Sequence, residues 1–148
     1  MNVEETIRSS KKIPLGQRTL IHMQLVQNKI DDITANALKP FEVSMQQFNV
    51  LRILRGQKGN PANLSTINER MVTKMSNTTR LVDKLIKKGF VNRCVCPSNR
   101  RKVEIVITDS GLEALSQMDK ALGKAHDIIL KNFDKKDLEQ LNQLLDKF

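Results

Sequence analysis

The sequence predicts a mainly α-helical fold with one small β-hairpin, and three observations carry that reading. Apolar residues recur at helical spacing in long segments on both sides of a central region, about residues 44–108. Two runs rich in β-branched residues, FVNRCVC and VEIVIT, flank a Pro, Ser and Asn cluster, the pattern of an antiparallel hairpin. The chain has 148 residues, 39% of them hydrophobic, enough for one sizeable core, so a single domain over 1–148 is expected.

The elements follow in order. Residues 1–13 are weakly patterned and read as a frayed lead-in helix that Pro14 and Gly16 interrupt. From Gln17 to about Lys39 a long helix is expected, with Leu20, Met23, Ile30, Ile33 and Ala37 near one side and Pro40 stopping it. Ser44 and Gln47 have capping-box spacing and open a second helix that buries Phe48, Leu51, Ile53 and Leu54. GQKGNPANLS then supplies a turn and a short extended piece. Ser65 is expected to cap a short helix with Leu64 and Ile67 in the core, and Met71 to Thr73 turns the chain into the next. That helix is expected to start after Thr73, as its cap, and to run KMSNTTRLVDKLIKK until Gly89 ends it. After the hairpin, Thr108 caps a long helix from Asp109 to about Lys131, striped by Leu112, Leu115, Met118, Leu122, Ala125 and Ile129. Asp134 opens a last helix bearing Leu138, Leu141, Leu144, Leu145 and Phe148.

The helix after Thr73 has two unlike faces. Met75, Thr78, Val82, Leu85 and Ile86 should face a core, leaving Ser76, Asn77, Arg80, Lys84 and Lys87 opposite. Short hydrogen-bonding side chains at the N-terminal end, with cations further along, suit a helix whose first turns meet base edges while longer side chains reach phosphates. Ser76, Asn77, Thr79, Arg80 and Lys84 are therefore the candidate DNA-reading residues, with Ser65 and Thr66 on the preceding helix placed for phosphate contact. Arg100, Arg101 and Lys102 follow Asn99 where the hairpin should project, fitting phosphate or a narrow minor groove. Charge agrees, because residues 71–102 hold nine Lys or Arg against one Asp, a net charge of +8 out of +9 for the whole chain. A basic patch confined to one module is the footprint of a polyanion partner.

These residues resemble the winged helix-turn-helix of the MarR family of bacterial transcriptional regulators. SNTTRLVDKLIKKGFVNR followed by PSNRRKVEIVITDSG carries the likeness, through the lysine-and-glycine helix end, the Arg-rich wing and the Thr-x-x-Gly opening of the long helix. The wing departs at Asn99, where the family commonly has Asp two residues before its key Arg, here Arg101. The resemblance implies a homodimer whose N- and C-terminal helices, about 15–39 and 109–148, interlock, and a winged helix-turn-helix, about 44–108, on each half of a near-palindromic operator in duplex DNA. It also implies repression relieved by a small-molecule effector, whose identity no residue specifies. Independently, those terminal helices hold more apolar residues than a small winged helix needs for its own core.

Other functions find little support. His22 and His126 each stand alone on a helix, without metal-ligand spacing around them, and no phosphate loop or nucleophile elbow is present, so neither enzyme activity, a cofactor nor a metal is expected. Cys94 and Cys96 share one face of a strand that opposes a bond between them, and are expected to be small packing residues rather than a redox switch. Tyr and Trp are absent, which removes a stacking platform for single strands. A winged helix used for protein contact is the main alternative, and it would show apolar exposure on the 76–87 face. With no apolar run long enough for a membrane and no signal peptide, a cytoplasmic protein is expected.

Overall fold

Local signals in the chain set where the helices capped by Ser44, Asn63, Thr108 and Asp134 begin. The computed structural model describes the backbone of residues 1–73, 78–96 and 99–148, and their side chains except those of 95, 96 and 99–102. These residues form two compact units, Met1–Thr34 with Ala125–Phe148, and Ala35–Lys124.

In the Ala35–Lys124 unit, a 3-10 turn at Lys39–Phe41 contains Pro40 and is closed by Glu42 in the left-handed region, φ 51°. Ser44 then caps α3 (Met45–Gly56) with the expected reciprocal pair, Gln47 N–H on the Ser44 hydroxyl and Ser44 N–H on the Gln47 amide oxygen. The short α4 (Leu64–Arg70) is capped by Asn63, not Ser65: the Asn63 side chain accepts the Thr66 N–H at 2.8 Å. Ser65 already lies in the first turn, where its hydroxyl donates to Glu69 at 3.0 Å. Asn caps at least as well as Ser, and Asn63 is the residue with extended backbone, ψ 167°.

The helix that follows, α5 (Thr78–Lys87), is described from Thr78 onward; its expected first turn, with Met75, Ser76 and Asn77, lies outside the described residues. Thr78, Val82 and Leu85 are buried on its inner face, as the periodicity predicts. Gly89, at φ 74°, ends it in a Schellman turn, with Gly89 N–H donating to Ile86 O and Phe90 N–H to Leu85 O.

The hairpin pairs β1 (Val91–Cys96) with β2 (Asn99–Ile107) antiparallel, Val91 opposite Ile107 and Val95 opposite Val103. Ala62, in the extended piece before α4, exchanges both backbone hydrogen bonds with Ile105 and adds a third strand one residue long. α6 (Asp109–Leu130) starts at Thr108, whose hydroxyl accepts the Gly111 N–H at 3.0 Å and donates to Gly89 O at 2.7 Å. One side chain thus caps α6 and ties it to the end of α5. Gly111 packs against the same corner: a Cβ there would stand 2.1 Å from Phe90 O and 2.9 Å from the Ile107 side chain.

The core of this unit gathers Leu38, Phe48, Leu51, Leu54, Ile67, Val82, Leu85, Ile105, Leu115 and Met118. Each fully buried aliphatic side chain contributes about 1.5–3 kcal/mol, so α5 and the hairpin are held on α3 mainly by apolar burial. The remainder is partly exposed: Ile53, expected in the core, is half-buried, and Leu112 of the α6 stripe is exposed.

The other unit holds α1 (Val3–Thr6), the first twenty residues of α2 (Leu15–Leu38), the end of α6 and α7 (Lys135–Leu145). α2 begins at Leu15, two residues before the expected start, because Pro14 precedes the helix and its carbonyl accepts the Arg18 N–H. Arg18 pairs with Glu4 at 2.8 Å, and this hydrogen bond holds the Glu4 carboxyl below the usual carboxylate range. Asp134 and Asp137 form the capping box of α7. Within this unit only Val3, Thr34 and Ala125 are buried, while Leu20, Met23 and Val26 on α2 and Leu141, Leu144 and Leu145 on α7 are exposed. A helical unit so poor in buried side chains has no core of its own.

Candidate nucleic-acid interface

The exposed side of α5 is short-polar at its start and cationic beyond. Thr79, Arg80, Lys84 and Lys87 are all exposed, and Arg80, Lys84 and Lys87 stand at i, i+4 and i+7, one straight stripe along the helix. No large apolar side chain of α5 is exposed among the described residues, which disfavours the protein-contact alternative. Long cationic side chains on a helix anchored through its opposite face can approach a phosphate backbone without unpacking the core.

α5 is positioned from both ends. At its described start the Thr78 hydroxyl donates to the Asn68 side chain at 3.2 Å, which ties α5 to α4. Past its end, Lys88 reaches Glu42 at 3.1 Å and the Phe41 carbonyl at 3.4 Å. Midway, Asp83 accepts from Arg93 on β1 at 2.7 Å. Asp83 is the only acid in the basic segment 71–102, so this pair removes a charge that would repel phosphate while tying the hairpin to the helix. With side chains 39% and 48% exposed, the pair contributes at most about 1 kcal/mol to stability, and its value lies in orientation.

The hairpin differs from expectation at its tip. Arg100, Arg101 and Lys102 belong by backbone to β2, which starts at Asn99; the connecting residues Pro97 and Ser98 lie outside the described part. The register jumps here, since Cys96 faces Asn99 and Val95 faces Val103, so Arg100–Lys102 have no partners on β1. Three consecutive residues beyond the regular ladder form a bulge, a device that re-aims a strand end. The backbone pairs up to the register jump because β-branched residues alternate on both sides of the tip, and pairing is cheaper than leaving a basic loop unsatisfied. The side chains of these three residues, and Ser76 and Asn77 entirely, lie outside the described residues.

Ser65 is exposed and Thr66 half-buried, both in the first turn of α4, and the Ser65 hydroxyl is engaged by Glu69. Cys94 is a free, exposed thiol opposite Glu104 and therefore not the packing residue expected. The side chain of Cys96 lies outside the described residues. No group of three or more His, Cys, Asp or Glu among the described residues could hold a metal ion. No helix among them is long and apolar enough to cross a membrane. Sequence reasoning missed Asn63, Asn68 and Arg93; only Asn63 had a local signal, as a capping residue ahead of an apolar run.

With this geometry in place, comparison with known proteins is specific. The MarR family model matches residues 43–103, the span from the turn before α3 to the ladder of β2. Over 137 residues the chain is 31% identical to the multiple antibiotic resistance protein MarR of Escherichia coli, covering 91% of this chain and 90% of that protein. A crystal structure of a MarR mutant from E. coli complexed with operator DNA aligns with a TM-score of 0.74 at 28% identity, over 99% of this chain and 98% of that one. A MarR-like transcription regulator from Bacillus cereus shares the fold, with a TM-score of 0.80 at 23% identity over 90% of this chain and 96% of that one. The chain belongs to the MarR family of transcriptional regulators.

Proposed function

We propose that the chain is an effector-responsive repressor that binds a near-palindromic operator in duplex DNA as a homodimer, with α5 in the major groove and the hairpin along the flanking backbone. The observation that carries this is the division of α5 into a buried face and an exposed cationic stripe, on a helix pinned at Thr78 and Gly89. In this reading Ser76, Asn77, Thr79 and Arg80 meet base edges, Lys84 reaches phosphate, and Arg100, Arg101 and Lys102 hold the backbone or minor groove. Ser65 and Thr66, in the first turn of α4, face phosphate. The winged helix-turn-helix occupies about 44–108, and the helices at about 15–39 and 109–148 form the dimer.

The homodimer follows from the exposed apolar side chains of α2 and α7, which a second copy would cover by two-fold symmetry. Two winged helices one helical turn apart then read both half-sites, which multiplies specificity. A solved relative complexed with operator DNA supports duplex DNA as the partner. Effector control follows from the same architecture: a small molecule that favours a dimer geometry with the two helices off register lowers operator affinity by its coupling free energy, typically 1–3 kcal/mol. The reading assigns regulation and not catalysis to the chain, and work on chromosomal DNA places it in the cytoplasm.

The test is a titration of labelled duplex from the control region upstream of the gene, against a scrambled duplex of equal length. Saturation at two protomers per half-site pair and a preference of about a thousandfold or more are expected. Equal affinity for both duplexes would reject sequence-specific regulation.

A further inference from the structure

We infer that a recess beside the helix-turn-helix seats a backbone phosphate of the bound duplex, widening the footprint beyond α5 and the hairpin; this rests on the DNA-binding reading above. The recess has a volume of about 320 Å³ and lies between the outer face of α3 and the turn that leaves α4. Asn49, Arg52, Ile53 and Gly56 line it at i, i+3, i+4 and i+7, a single helical stripe, and Gly56 leaves its upper end open for want of a side chain. Arg70, the last residue of α4, and Val72 form the opposite wall.

The lining carries three arginines and no acid. Arg55 is committed to Asp119 on α6. Among the described residues no ion pair reaches Arg52 or Arg70, and the Arg52 guanidinium lies 5.9 Å from the Phe48 ring, which braces it at the edge of the recess. Two unpaired guanidiniums and the Asn49 amide offer donors only from the charged groups, the complement of a tetrahedral oxyanion. Cations in a last helical turn also complement the helix dipole, which accounts for Arg55 and Arg70. It does not account for Arg52, nor for the convergence on one recess.

Position selects the source of the anion. Val72, 85% exposed, stands in the turn that feeds the start of α5. Where a recognition helix enters the major groove, the chain just before it runs beside the flanking phosphates. Arg52 and Arg70 are themselves exposed, so a free ion would be held weakly in so open a basin. A phosphate arriving on a duplex already engaged elsewhere is presented at high effective concentration.

The experiment compares the full-length parent with the Arg52→Gln, Arg70→Gln double variant on cognate and scrambled duplexes between about 50 and 200 mM salt. Both side chains are exposed, so the variant should melt with the parent. Its plot of log affinity against log salt should be shallower by roughly one per subunit, with affinity falling tenfold or more on both duplexes alike. An unchanged slope and affinity, with the parent still preferring cognate duplex, would overturn the phosphate seat and leave the regulator reading standing. Loss of preference and of salt dependence in the parent itself would overturn both. A third arm adds inorganic phosphate to the free protein: if phosphate raises the melting temperature of the parent and not of the variant while DNA binding is the same in both, the site takes free anions and the duplex assignment falls.

Discussion

Gly111→Ala should lower the stability of the protein by about 3 kcal/mol and its melting temperature by about 10 °C. The added Cβ would lie 2.1 Å from the Phe90 carbonyl oxygen, a backbone atom that also accepts the Thr108 N–H at 3.0 Å. Neither side can yield alone. Phe90 is fixed by the Schellman turn of α5, and Thr108 by its hydroxyl bond to Gly89, so relief must pull α6 from the corner where helix and hairpin meet. Gly123→Ala, in the middle of the same helix, is the control. A Cβ there meets nothing within 4 Å, and replacing a helical Gly by Ala should stabilise by up to ~1 kcal/mol. Thermal melts of the two variants should therefore move in opposite directions. Equal melting of parent and Gly111→Ala would show that the corner is looser than its geometry states.

Removing residues 134–148 should convert the protein into a monomer or an aggregate and abolish operator binding. These residues supply Leu141, Leu144, Leu145 and Phe148, which are 40%, 51%, 44% and 87% exposed on a single chain. Left uncovered, such a set is an aggregation liability; covered by a second copy, it is an interface. A point change separates the two effects. Leu144→Glu puts a charge on a side chain already half exposed, which a monomer tolerates, but it buries that charge in a dimer at a cost of several kcal/mol. Light scattering of the full-length protein at micromolar concentration should give twice the mass of one chain, and Leu144→Glu should halve it. A monomeric parent would remove the basis for two half-sites.

Where folding signals are local, the sequence was readable. Ser44 with Gln47, Thr108 with Gly111 and Asp134 each satisfied orphan helix N–H groups as their spacing foretold, because a cap needs only its own next three residues. Ser65 failed since Asn63, two residues earlier, competes for the same role and had the extended backbone first. The inner face of α5 was legible from period alone, whereas Asp83 with Arg93 and Asn68 with Thr78 join residues ten apart across separate elements, and no periodicity encodes such a meeting. Cys94 was misjudged for a related reason: alternation along a strand says which residues share a face, not which face meets the core. Gly111 was noticed as a motif letter; its cause, a carbonyl 2.1 Å from a would-be Cβ, exists only in three dimensions.

The division of labour between helix and hairpin is tested most directly by comparing Asn77→Ala with Arg101→Ala on cognate and scrambled duplexes across a range of salt. Asn77 is neutral, so its loss should cost ~1–3 kcal/mol on the cognate site only and leave the salt slope unchanged. Arg101 is expected on phosphate or in the minor groove. Its loss should weaken both duplexes and flatten the slope by about one contact per subunit, with a further loss on A·T-rich flanks if the groove there is narrow. If Asn77→Ala weakened both duplexes equally while Arg101→Ala altered neither affinity nor slope, α5 would not be the reader and the hairpin would not be the clamp.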